Sequence, residues 1–79
     1  MSTKQIIEEI RNICLEHNVL FEMIDVITPN CKSFMTSIED IRDNISKIKS
    51  LRLLSVEPRD YSTQGDFILR GELEYVITG

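Results

Sequence analysis

An α+β fold, with two helices packed on one face of a three- or four-stranded, largely antiparallel sheet, is what this sequence predicts, and two patterns carry the expectation. Apolar residues recur at helical spacing in two stretches, first Ile6, Ile10 and Ile13, then Ile38, Ile41, Ile45, Ile48 and Leu51. Near the carboxy-terminal end the period changes to two. Phe67, Leu69, Gly71, Leu73, Tyr75 and Ile77 alternate with Ile68, Arg70, Glu72, Glu74, Val76 and Thr78, so one flank of a long strand is apolar and the other mostly charged. The resulting order, α-β-(β)-α-β-β, describes a ferredoxin-like sandwich or a permutation of one.

The first helix is expected from Ser2 to about His17. Ser2 and Gln5 have the spacing of a capping box, in which a hydroxyl and an amide each satisfy an orphan backbone group. Ile7 and Cys14 widen the apolar stripe, and Glu8, Glu9, Arg11, Asn12 and Glu16 take the solvent side. Asn18 follows as a candidate left-handed residue at the helix end. Val19 to Thr28 is rich in β-branched and aromatic residues and reads as a strand, buried on both faces or bulged because its alternation is imperfect. Pro29 and Asn30 make a turn, and Cys31 to Met35 forms a short optional strand.

A second capping-box spacing, Thr36 to Glu39, opens the second helix, whose stripe is expected to run to Leu51. Its acidic residues come early (Glu39, Asp40, Asp43) and its basic ones late (Lys47, Lys49, Arg52), as the helix dipole favours. Leu53 to Glu57 is then a strand, ended or displaced to an edge by Pro58. Ser62 to Gly65 turns the chain into the long alternating strand, inside which Gly71 lets a helix or another backbone approach closely.

The 79 residues make one domain, 1–79, near the size at which a single core only just offsets chain entropy, which favours self-association. With 42% hydrophobic and 28% charged residues the chain is too apolar for a disordered one. A net charge of −4 opposes attraction to nucleic acid or anionic lipid. Two cysteines are too few for a disulfide framework and point to a reducing, cytoplasmic setting. The first residues lack the apolar core of a signal peptide, and no run is long enough for this segment to insert in a membrane.

Candidate chemistry is sparse. Cys14 and His17 share a helix face, and Cys31 with Asp25 or a water would be needed to complete a zinc set, but paired ligand spacing is missing. As nucleophile and base the same pair lacks an orienting third group and an oxyanion hole. Glu72 and Glu74 read as the wet side of a strand rather than an acid–base pair. Gly65, Gly71 and Gly79 never cluster into a phosphate-binding loop. No catalytic residue, cofactor or metal site is therefore expected. The residues left over are apolar: Ile68 and Val76 on the charged flank of the last strand, and Phe34 and Leu53 without a place in the core stripes. They are the candidate interface.

The run SIEDIRDNISKIKSLRLLSVEPRDYSTQGDFILRGELEYVI, Ser37 to Ile77, preceded by KQIIEEIRNICLEHNVLFEMIDV, resembles the periplasmic domains of assembly-platform proteins of the type IV pilus and type II secretion systems, of the PilO and GspM kind. The likeness is of pattern: a capped helix, a strand, a small loop and a long alternating strand, after an earlier helix and strand. It implies a ferredoxin-like dimerising scaffold that positions partner proteins, in a periplasmic setting, and catalyses nothing. The short strand before the second helix and the two cysteines depart from that pattern. The functional expectation is a non-enzymatic, homodimerising protein–protein interaction module. Its alternatives are a small acidic cytosolic or virus-encoded regulator of one protein target, and a small-ligand sensor domain.

Overall fold

The computed structural model describes residues 2–59 and 65–77. In chain order these form α1 (Thr3–Glu16), β1 (Leu20–Met23), β2 (Lys32–Thr36), α2 (Ile38–Asn44), a 3-10 turn (Ile45–Lys47), β3 (Ile48–Pro58) and β4 (Phe67–Tyr75). The strands make one sheet in the order β1-β3-β4-β2. β3 and β4, and β4 and β2, are antiparallel, while β1 runs parallel to β3. The fold is thus α+β with a mixed four-stranded sheet.

α1 begins as its sequence dictates: Gln5 N–H donates to Ser2 Oγ (3.2 Å) and Ser2 N–H donates to Gln5 Oε1 (2.8 Å). It ends at His17, and Asn18 takes a positive φ of 57° that swings the chain into β1. Ile6, Ile10, Ile13 and Cys14 are its buried residues.

β1 is shorter than the expected Val19–Thr28 strand. Its last ladder bond is from Ile24 N–H to the Leu53 carbonyl (2.9 Å), after which the chain leaves the sheet. Because β1 is an edge strand, its alternation need not serve two buried faces: Leu20, Val26 and Ile27 are exposed. Residues 24–31 carry the chain from one sheet edge to the other. Pro29 and Asn30 border a hollow with Ser50, Arg52, Glu72 and Glu74, so the crossing lies on the side away from the helices.

The second helix departs most from expectation. Ser37, not Thr36, is its cap, accepting from Asp40 N–H (3.2 Å), and the helix stops at Asn44. Ile48 and Leu51, which extend the helical stripe on paper, belong to β3, eleven residues long against an expected Leu53–Glu57. Pairing with β4 offers both of them buried places, because register shifts between Ile48 and Ser50 and between Leu53 and Ser55 keep Ile48, Leu51, Leu53 and Val56 on the helix side. Pro58 ends β3 beyond the reach of β1, where its missing N–H forfeits no ladder bond. The expected turn at Ser62–Gln64 lies outside the described residues.

β4 follows the predicted alternation from Phe67 to Tyr75 and stops there, short of Ile77, which was expected on the apolar flank but lies beyond the strand, 94% exposed. Phe67 and Leu69 are buried on the helix side, whereas Arg70 and Glu74 are exposed opposite. A Cβ at Gly71 would collide with the Arg52 carbonyl oxygen and lie 3.2 Å from Leu53 Cα, so the close approach foreseen there is that of the β3 backbone. α1 and α2 contact each other on the same face, and one cluster running from Ile6 to Leu69 forms the core.

Candidate functional site

The four residues singled out from sequence are not brought together. Leu53 is 0% exposed at the centre of the core, which corrects its assignment to the surface: a side chain with no accessible area cannot meet a partner. Phe34 lies opposite Leu69 on the helix side and packs, half-buried, against the core. Ile68 is half-buried on the other face, opposite Met35 and Glu57. Val76 is 46% exposed just past β4, its N–H donating to the Lys47 carbonyl (2.8 Å). Leu53 has a physical reason for being misplaced. It falls out of phase with the helical stripe ending at Leu51, but in a strand the two residues share a face.

The structure builds a different feature, on the helix side of the β4–β2 half of the sheet. α2 leaves the end of β2 at Ser37 and runs back across the sheet towards the start of β3. In seven residues it cannot cover all of what lies beneath it. An apolar groove of about 120 Å³ remains between α2 and β2, walled by Phe34, Ile41, Ile45, Leu73 and Tyr75, with Cys14 at its floor. Thr36, Asp40 and Asn44 supply its polar rim. A second hollow, bordered by Lys32, Phe34, Gly71 and Tyr75, continues it along β2. Tyr75, 58% exposed, and Leu73 belong to the apolar flank of β4, and they line the groove because the helix above them is short.

Beside the groove runs a free sheet edge. Among the described residues β2 pairs with β4 on one side only, so half of its backbone donors and acceptors face outward. Charge protects this edge only at Lys32; Phe34 is half-buried and Met35 is 59% exposed. The other edge, β1, is shorter, and its Glu22 is tied back to Arg52 (3.6 Å).

The far face of the sheet is charged and largely self-neutralised. Arg52 reaches both Glu22 and Glu72 (3.9 Å), and Lys49 reaches Glu74 (3.6 Å), which also accepts from the Ser50 hydroxyl. An open, polar hollow of about 550 Å³ lies there beneath Pro29 and Asn30.

The arrangement of Cys14 and His17 does not fit nucleophilic or metal chemistry. Cys14 is 0% exposed, and burial pushes its thiol pKa above the ordinary value. The His17 Nδ1 turns back to the Ile13 carbonyl (3.0 Å), a helix-end contact. Among the described residues no three His, Cys, Asp or Glu side chains gather where a metal ion could sit. Among the same residues no helix is long and apolar enough to cross a membrane. Comparison with protein-family models, curated proteins and solved structures finds no match to this chain.

Proposed function

We propose that this chain is a non-enzymatic protein–protein interaction module that self-associates into a homodimer. The observation that carries the reading is the edge of β2, unpaired among the described residues, running beside an apolar groove that α2 is too short to close. Exposed edges are rare in monomers unless shortened, charged or covered, because they template pairing with another chain. The groove's volume, about 120 Å³, is well under the several hundred Å³ typical of small-molecule sites, and it suits an inserted side chain better than a ligand. On these grounds the sensor alternative loses ground.

A dimerising scaffold of pilus or secretion type is the specific version that the sequence resemblance suggests. Support for it is limited to the α+β class, the two helices on one face and the two antiparallel pairings, with the parallel β1–β3 pair a departure from a wholly antiparallel sheet.

Mass in solution tests the central reading. Light scattering across a wide concentration range is expected to show the dimer, dissociating on dilution. A strict monomer at every concentration overturns the proposal.

A further inference from the structure

We propose that the occupant of the groove edge is a second copy of this chain, its β2 paired antiparallel with the first about a two-fold axis at Phe34. This deepens the homodimer reading and depends on it.

Residue-by-residue register makes the case. With Phe34 opposite Phe34 of the second copy, Ser33 falls opposite Met35 and Lys32 opposite Thr36, so all five residues of both strands are paired. Sliding the strands by two residues leaves part of each unpaired. Residues directly opposite one another share a face, so the two α2 helices lie on the same side and each groove is continued by the other copy. The two half-buried Phe34 rings then cover one another at the centre of the joint. Met35, exposed on the far face, packs over Ser33 of the second copy.

Charge agrees with this register. The only charged residue of β2 is Lys32, and the helix that begins directly after Thr36 carries Glu39 and Asp40 in its first turn. Pairing Lys32 with Thr36 of the second copy sets its ammonium beside that acidic turn, and the two-fold axis repeats the contact. Neither Lys32 nor Asp40 makes an ion pair within the chain among the described residues, so both are free to serve it. No like charges face each other in this register, a condition that antiparallel pairing of edges requires.

Reversing charges tests the register rather than the mere existence of a dimer. Lys32→Glu and Asp40→Lys are each expected to weaken dimerisation by about tenfold, since each loses two symmetric contacts, and the double variant to recover most of the loss. Sedimentation analysis reads the affinity, and circular dichroism checks that each variant is folded. Separately, in a Cys31→Ser background, a Ser33→Cys protein mixed with a Met35→Cys protein is expected to form an intermolecular disulfide under mild oxidation, and Ser33→Cys alone is not. A chain that is monomeric throughout sinks the homodimer reading itself. A dimer that ignores both charge reversals and fails to cross-link keeps that reading and removes β2 as the joint.

Discussion

The two halves of the helix-facing side of the sheet are covered unequally. α1, fourteen residues long, lies over the β1–β3 half and closes it over β3, where Ile6, Ile10, Ile13 and Leu53 are at most 2% exposed, leaving Phe21 of β1 half-buried. α2, seven residues long, leaves Phe34, Leu73 and Tyr75 half-buried or exposed over the β4–β2 half. The β4–β2 half is therefore core only in part, at Phe67 and Leu69, which are at most 1% exposed, and opens to surface at Phe34, Leu73 and Tyr75. Helix length decides where it opens, because a helix shields only about 1.5 Å of axis per residue.

The difference is measurable as stability. Ile10→Ala empties a closed site and is expected to cost about 3–4 kcal/mol, a large share of what so small a domain has. Leu73→Ala opens a site already in contact with water and is expected to cost about 1 kcal/mol. Urea denaturation at low protein concentration compares them. Equal losses would mean that the groove is closed even in the isolated chain. A Leu73→Ala loss that grows with protein concentration would sharpen the contrast, since a second copy would then be what seals that half.

Gly71 sits at the seam between the halves, and its substitution is the next largest effect. A methyl group there meets the Arg52 carbonyl, which belongs to backbone held by pairing with both neighbours, so β3 and β4 must part or the register shift must move. Gly71→Ala is expected to cost about 2–3 kcal/mol by the same measurement. A loss below 1 kcal/mol would show that the irregularity between Leu53 and Ser55 yields easily.

Legibility in the sequence followed how local each choice was. The α1 cap and the turn at Asn18 are set by neighbouring residues and could be read directly. The alternation of β4 needs no partner to be recognised. The end of α2 is different: Ile45 and Ile48 continue a helical stripe after Ile41, yet Ile48, Leu51 and Leu53 also fit a bulged strand. Which pattern prevails depends on the long ladder with β4, a nonlocal gain, and the register shifts at Lys49 and Leu54 carry no glycine to mark them. The groove was hidden for the same reason. Leu73 and Tyr75 carry the pattern of core residues, and only the early end of α2 uncovers them.

Cys14 gives the smallest effect and touches both halves, being part of the sealed α1 stripe and the floor of the groove. Burial raises its thiol pKa above the ordinary 9.0, so above that pH the unfolded chain releases this proton before the folded one does. The contribution is therefore intact below pH 9.0 and is lost as pH rises from there through the higher folded value. A Cys14→Ala variant is expected to be less stable at neutral pH but to show a shallower decline between pH 8 and 10 than the unaltered chain, which isolates the thiol from the lysines and tyrosines that also titrate. Alkylation gives the structural half of the same test. The half-buried Cys31 is expected to react in the native state, and Cys14 only at the rate at which the chain unfolds. Native-state labelling of Cys14 that outpaces unfolding would mean that the groove opens down to α1, and the contrast between a sealed half and an open half would then be one of degree.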